Sequence, residues 1–308
     1  MKILYVAKHG SGLNDDEGAI AYALEQLGHG VIRAHEKHYV HLTDEADLLL
    51  FHKWDDVEAI SRFKGRKAFW YFDLVEWPSD PTLAGRCRSR VEWMRKVIPH
   101  VDLGFCTDGD WVHSYNLTHA GHRQAVDLGP KLVWLPQGAD ERVVGRGIPL
   151  VGAAPILFVG NRTGGEQRRS FVREMEETWG KQFHCIEKGV YGRELAPYIA
   201  GAKVVVAPDS PVTDRYWSNR AYVMLGFGAL LLHPWSQGLS DQCRFLPFYR
   251  SREQMHTMID RVLCEWWKGP LSGHAAGIMT TSCLDEVREK HLYRHRCADL
   301  IRAVEKLG

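Results

Sequence analysis

Two stretches of this chain carry the residue types that hold a diphosphate. The first reads Gly160-Asn161-Arg162-Thr163-Gly164-Gly165, with Arg168 and Arg169 just beyond it. Glycines let a backbone approach a phosphate closely, and the free amides at a helix start attract anions. The arginines add charge-assisted hydrogen bonds. A tight strand-to-helix turn with solvated arginines has the same composition, and the spacing is neither G-x-G-x-x-G nor a GK[ST] loop. The second stretch is Asp214-Arg215-Tyr216-Trp217-Ser218-Asn219-Arg220, ahead of the apolar run AYVMLGFGALLLHP. Here Ser218 and Asn219 are the expected helix caps, and the amides behind them point at an anion. A capped core helix is the plain alternative, but it leaves unexplained why Arg215, Trp217 and Arg220 crowd one helix entrance. If both stretches serve one ligand, they converge on a single pyrophosphate. A third pattern, Asp108-Gly109-Asp110, spells D-x-D, a pair of carboxylates able to hold Mg²⁺ or Mn²⁺. Its place between a strand and a helix makes an N-cap the better reading, so no metal is expected.

The elements that position these residues follow from the apolar pattern. Lys2–Ala7 reads as a buried strand, followed by a turn through His9, Gly10, Ser11 and Gly12 and a helix entered at Asp15 and Asp16. Further strands are expected at Val31–Ala34, Asp47–Phe51, Lys67–Phe72, Val101–Cys106 and Lys131–Leu135, with a helix over Cys87–Ile98. Continuous apolar runs alternating with helices predict a parallel sheet covered on both faces. A second strand-turn-helix starts at Pro155–Val159 and Gln167–Trp179, with strands at Phe183–Ile186, Lys203–Ala207 and Ala229–Leu232. The tail is helical over Arg252–Trp267 and again within Cys283–Leu307. The fold expected is α/β, with two Rossmann-like domains. Residues 1–140 form the first, 141–154 a Gly-containing linker, 155–282 the second, and 283–308 a closing helix.

Composition fits this plan. A chain of 308 residues suits two domains, and a hydrophobic fraction of 45% with 25% charged residues is that of an ordinary globular protein. The net charge of +1 does not advertise nucleic-acid or membrane binding. Residues 141–308 nevertheless hold 23 Lys/Arg against 18 Asp/Glu, whereas 1–140 hold 16 against 20, a mild bias toward an anionic ligand in the second half. The seven cysteines are scattered with no C-x-x-C pair, which argues against a disulfide framework or structural zinc and for a reducing compartment. The N-terminus does not read as a signal peptide, and no run approaches the ~18 apolar residues of a membrane span. A cytoplasmic protein is expected.

The run Tyr216-Trp217-Ser218-Asn219-Arg220-Ala221-Tyr222, then Leu225-Gly226-x-Gly228-x-Leu230-Leu231-Leu232-His233-Pro234 and Gly238-Leu239, resembles the C-terminal domain of group-1 glycosyltransferases, in their CgeB-like (spore-maturation-protein-like) branch. Three further segments match in order. Ile156-Leu157-Phe158-Val159-Gly160-Asn161 resembles the opening strand, Arg168 or Arg169 the basic residue of the next helix, and His291-Leu292-Tyr293-Arg294-His295-Arg296 the closing H-x-Y-x-H-R helix. The resemblance covers residues 155–300; the N-terminal half matches in layout. It implies the GT-B architecture: two Rossmann-like domains facing across a cleft, a nucleotide-sugar donor (a UDP-sugar first of all) on the second, an acceptor on the first, and no required cofactor or metal. Gly160, Asn161, Arg162, Arg168, Lys188, Asp214, Tyr216, Ser218, Asn219 and Arg220 are the expected donor-binding residues, with the base near Glu187–Tyr191. One departure stands out. The family's Glu-x7-Glu falls on Arg215 and Val223, so ribose binding would pass to Asp214 or Asp209, or activity would be lost.

Such a reaction needs a base for the acceptor hydroxyl, and ligand sites in parallel sheets lie at the carboxyl ends of strands. His9, His52, Asp73 and Asp108 are placed there. Asp73 is the first choice and His52 the second as catalytic groups, with Gly10, Ser11, Trp70 and Glu76 on the acceptor side. An Asp that caps a nearby helix would occupy the same place. An envelope glycan or lipid-linked sugar is the default acceptor. A hydroxymethylated DNA base is the alternative, since Arg86, Arg88, Arg90, Arg95 and Lys96 form a basic helix around Trp93 that suits a phosphate backbone, or simply a solvated face. A non-catalytic nucleotide-sugar-binding protein and a sugar-nucleotide epimerase or hydrolase are the remaining readings. A dehydrogenase is disfavoured, because Gly10-Ser11-Gly12 lacks the third glycine.

Overall fold

The structure is a computed structural model that describes residues 1–10, 15–37, 45–75, 84–109, 111–112, 131–162, 165–187, 189–208, 212–267 and 272–307, with backbone alone at 84–88, 265–267 and 272–275. Residues 1–137 and 293–308 form one compact unit, and residues 138–292 form the other.

The first unit holds six parallel strands, β1 (Lys2–Ala7), β2 (Gly30–His35), β3 (Leu48–Phe51), β4 (Arg66–Tyr71), β5 (Leu103–Cys106) and β6 (Leu132–Trp134), in the order β2-β1-β3-β4-β5-β6. Alternate residues divide between two cores, as the two-fold strand period requires. Leu4, Val6, Leu49, Phe51, Phe69 and Tyr71 pack on one face with Ile60, Val91, Met94 and Val97. Ile3, Tyr5, Leu48, Leu50, Ala68 and Trp70 pack on the other with Ile20 and Leu24 of the helix Asp16–Gln26. Both faces are buried, which is why these strands read as unbroken apolar runs.

The closing helix departs from expectation. The tail is two helices, Ser272–Lys290 and Tyr293–Glu305, broken at His291 and Leu292. The second returns to the first unit, because Tyr293, Cys297, Leu300, Ile301 and Val304 form a helical stripe that packs with Ile20 and Leu24. Each such buried side chain contributes roughly 1.5–3 kcal/mol. Likewise the 141–154 segment groups with the second unit; Leu150 N–H donates to Pro197 O at 2.9 Å.

The second unit holds five parallel strands, β7 (Ile156–Val159), β8 (Phe183–Ile186), β9 (Val204–Val206), β10 (Leu231–Pro234) and β11 (Phe248–Tyr249), in the order β11-β10-β9-β7-β8. Ile156, Phe158, Val204, Val206 and Leu232 pack with Phe171, Val172 and Met175 of the helix Glu166–Trp179 and with Met255 and Ile259 of the helix Arg252–Trp267. Five elements were not expected from the sequence: β11, the helices Val57–Arg62, Ala196–Gly201 and Gln237–Gln242, and the first half of Ser272–Lys290. Among the described residues, no helix is long and apolar enough to cross a membrane.

Candidate functional site

At the carboxyl ends of β7, β9 and β10 the second unit opens a small pocket, with a cavity volume of about 40 Å³. Its charged walls come from both stretches singled out above: Arg168 from the helix after β7, and Ser218 and Arg220 from the entrance of the helix Arg220–Gly226. Apolar side chains, Val205, Val206, Val212 and Met224 among them, make up most of the rest. Arg168 stands on the inward stripe of its helix with Phe171, Val172 and Met175, at spacings of three, four and seven. Burial lowers its pKa below the usual arginine value.

Arg220 is held lower still, at about 10, by burial first and by the charge of Arg168 second. Tyr216 lies within electrostatic reach of both arginines. Gly160 is the close-approach residue here. A Cβ on it would stand 3.1 Å from Arg220 Nη1 and 2.7 Å from the Phe158 ring, so any side chain at 160 would push on the guanidinium. Two desolvated guanidinium groups lining one pocket are chemically suited to bind an anion with several oxygens.

The pocket also contains a residue that the reading of the sequence did not single out. His233, at the end of β10, is buried and donates Nδ1–H to Pro234 O at 2.8 Å, leaving Nε2 as an acceptor. Burial lowers its pKa to about 4, so it is neutral at physiological pH. The signal for it was a histidine closing the apolar run Leu230–Leu232.

Other expected donor-binding residues lie elsewhere. Arg162 turns away to Glu176 at 2.6 Å and Glu187 at 3.9 Å, while its backbone N–H donates to Glu187 Oε1 at 3.1 Å. Arg169 is exposed and paired with Glu166 one turn earlier, at 2.7 Å. Asp214 is exposed, and its carbonyl anchors the segment by accepting from Gly238 N–H at 2.6 Å and Ser236 Oγ at 3.2 Å. Asn219 makes no side-chain cap, because its own backbone is already helical at φ −53°; Ser218 Oγ accepts from Arg220 N–H at 3.4 Å instead. Asn161 is half-buried beside Gly160. Lys188 and Asp209 lie outside the described residues.

In the first unit, the strand ends collect His9, His52, Asp73 and Asp108 at the carboxyl side of the sheet, as that rule requires. Most of these groups are already engaged. His52 donates Nδ1–H to Trp70 O at 2.6 Å and accepts from the Tyr5 hydroxyl at Nε2. Burial lowers its pKa to about 4. Asp73 is bound to Lys53 and lies 3.6 Å from Arg90. Trp70 is fully buried and donates its indole N–H to Leu135 O at 3.0 Å, so it is a core residue rather than an acceptor platform. Asp108 accepts from Trp111 N–H at 3.1 Å and Val75 N–H at 2.8 Å, a cap and a clamp. No group of three metal-ligating residues occurs among the described residues. Gly10 donates its N–H to Asp15 Oδ2 at 2.7 Å, whereas Ser11, Glu76 and Asp110 lie outside the described residues.

His9 is different. Its Nε2–H donates to Tyr5 O at 3.0 Å, which fixes Nδ1 as the lone-pair nitrogen. Among the described residues Nδ1 is buried with no hydrogen-bond partner, and so is Asp15 Oδ1 nearby. Burial lowers the His9 pKa and raises that of Glu17.

The closing motif serves structure. His291 donates Nε2–H to Gln242 O at 2.9 Å and stacks on Tyr222, Tyr293 donates to Asp16 at 2.7 Å, and Arg296 donates to Gln137 O at 3.2 Å. In the basic helix Ala84–Val97, Arg90 is drawn to Asp73, Lys96 to Asp55 at 3.3 Å, and Trp93 packs in the core against Phe69 and Tyr71. Only Arg95 of the described cations there stands exposed and without an ion pair.

No family model matches the chain, and neither does any curated protein. Solved structures do. An α,α-trehalose-phosphate synthase (UDP-forming) from Burkholderia vietnamiensis superimposes with a TM-score of 0.64 at 12% identity, covering 99% of this chain and 100% of the other. An α-glucosyltransferase in complex with UDP-glucose and DNA containing an abasic site gives 0.65 at 9% identity, with 99% of each chain covered. HepE of Anabaena in complex with UDP-glucose gives 0.60 at 8% identity, covering 99% and 100%. The chain has the fold of the GT-B glycosyltransferases over its whole length.

Proposed function

We propose that this protein is a glycosyltransferase whose donor is a nucleoside-diphosphate sugar, a UDP-sugar first of all, with the diphosphate held by Arg168 and Arg220. The observation that carries the reading is the placement of two desolvated arginines, from two separate stretches of sequence, on one pocket at the carboxyl ends of the parallel strands. Guanidinium groups brought together at a desolvated site favour an anion with several oxygens. Fold likeness to proteins solved with UDP-glucose supports the same donor class. The residue pattern at 216–239 and 291–296 supports placing the chain in the CgeB-like branch.

In this reading the acceptor oxygen bonds to the anomeric carbon as the bond from that carbon to the diphosphate breaks. Arg168 and Arg220 stabilise the charge on the departing diphosphate. We assign the acceptor's proton to His9 Nδ1 rather than to Asp73 or His52. His9 keeps an uncommitted lone pair, whereas Asp73 is held by Lys53 and Arg90 and both nitrogens of His52 are bonded. A carbohydrate hydroxyl is the acceptor favoured, since Arg90, Lys96 and Trp93 of the basic helix are turned to protein partners instead of a DNA backbone.

Thermal melting with a panel of nucleotides and nucleotide sugars tests the donor. A ligand at 100 times its Kd adds about 2.7 kcal/mol of stability, and UDP-sugars are expected to give the largest shift. Release of UDP that depends on an added carbohydrate supports transfer. Binding without turnover would instead mark a nucleotide-sugar-binding protein, the reading to which Val223 points, and turnover without an acceptor would mark a hydrolase or epimerase.

A further inference from the structure

The amino ends of β1, β3, β4, β5 and β6 enclose a second opening, a basin of about 910 Å³ bordered by Lys64, Arg66, Lys67 and Lys131 and by Asp47 and Asp102. It lies at the other end of the parallel strands from His9, His52 and Asp73, four to six residues away along each of β1, β3 and β4, or roughly 13–20 Å at about 3.3 Å per residue. We infer that this basin binds a small phosphorylated, hydroxyl-bearing molecule at a site separate from the proposed reaction.

The charges are arranged for that ligand. Both carboxylates already spend one oxygen on a strand start: Asp47 Oδ2 accepts from Lys2 N–H at 2.7 Å, and Asp102 Oδ2 from Lys67 N–H at 2.8 Å. Neither forms an ion pair with the four cations. Lys67 and Lys131 direct their ammonium groups to backbone carbonyls, Phe63 O at 3.1 Å and Val101 O at 3.0 Å, which satisfies one hydrogen each and neutralises nothing. Among the described residues, Lys64 and Arg66 make no side-chain hydrogen bond or ion pair. The turn that carries them is pressed onto the neighbouring chain, since a Cβ on Gly65 would stand 2.6 Å from Asp47 O and 2.9 Å from Ala46 O. The positions of Lys64 and Arg66 are therefore set by packing rather than left to drift.

Four cations against two carboxylates leave a surplus that a phosphate group neutralises, with Arg66 able to grip two oxygens at once. The free carboxylate oxygens of Asp47 and Asp102 accept hydroxyls. The same two acids disfavour a nucleic-acid backbone, which would bring phosphates against them along its length.

Isothermal titration of the full chain with glucose 6-phosphate, inorganic phosphate and glucose tests the inference. Saturable binding of glucose 6-phosphate is expected, weaker binding of phosphate, and none of glucose. K64A/R66A should weaken the first at least about tenfold, as should K64E, which alters one exposed side chain and keeps the test valid if the double variant folds poorly. R168M/R220M should leave it within about twofold, so a failed donor proposal would not disturb this result. Binding unchanged in K64A/R66A and K64E, or lost in R168M/R220M, would overturn the site. So would a short DNA duplex that binds through Lys64 and Arg66 more tightly than the sugar phosphate.

Discussion

The carboxyl ends of the two sheets are built alike and handle charge in opposite ways. In the first unit, Lys53 and Arg90 meet Asp73, Asp108 is filled by two backbone N–H groups, and His52 has a partner on each nitrogen. In the second, Arg168 and Arg220 share a mostly apolar pocket, where burial and the charge of Arg168 lower the proton affinity of Arg220, while Arg162 and Arg169, a few residues away, are neutralised by Glu176, Glu187 and Glu166. A closed charge network fixes geometry, whereas guanidinium groups desolvated on one pocket favour an anion. The contrast therefore distinguishes residues that hold the fold from those proposed to hold a ligand, and His9 is the exception in its own unit.

Four outcomes would sharpen or break that contrast. The largest is expected at His9: His9→Phe should lower kcat about 100- to 1000-fold and leave UDP affinity unchanged, measured by donor turnover beside calorimetric titration. A fall of less than about threefold would return the role to a matched residue such as Asp73.

The second concerns His52 and His233, one buried histidine in each unit, both lowered to about 4 by burial. The unfolded chain binds their protons near pH 6.5 and the folded chain does not, so stability should fall as pH drops from about 6.5 toward 4. The loss is on the order of 3 kcal/mol per histidine. Urea unfolding across that range reads it; half the expected loss would mean that one of the two is not neutral in the fold, and a flat profile that neither is.

Third, Gly160→Ala should weaken UDP binding about tenfold by displacing the Arg220 guanidinium, and should lower ligand-free stability by about 1–3 kcal/mol because the added Cβ also presses on the buried Phe158 ring. The smallest effect belongs to Arg162→Gln and Arg169→Gln. Their partners are exposed, so UDP affinity should change by less than about threefold.

Much of the fold was legible because fully buried parallel strands write themselves as apolar runs; Lys2–Ala7 and Phe183–Ile186 coincide with β1 and β8 to the residue. Short elements such as β11 carry too few residues to show a period. The break at His291 and Leu292 was hidden because the apolar stripes on both sides read as one helix. At the site, spacing alone did not distinguish Arg162 from Arg168. The acids that claim Arg162 lie 14 and 25 residues away in sequence, beyond any local pattern. Two signals were nonetheless present. Arg169 stands three residues after Glu166, the spacing of a surface pair, and Arg168 falls on the apolar stripe with Phe171, Val172 and Met175, where a charge has to have a reason. His52 and Asp73 looked like catalytic groups because strand ends collect them. Their partners, Tyr5, Trp70, Lys53 and Arg90, come from other elements and become visible only when the chain is folded.

Calorimetric titration of UDP and uridine against the wild-type chain and R168M/R220M shows whether the arginine pair holds the diphosphate. The wild type is expected to bind UDP at least about 100-fold more tightly than uridine, a gap of about 2.7 kcal/mol, and the double variant to tell the two apart no longer. A double variant that keeps wild-type UDP affinity would contradict that role.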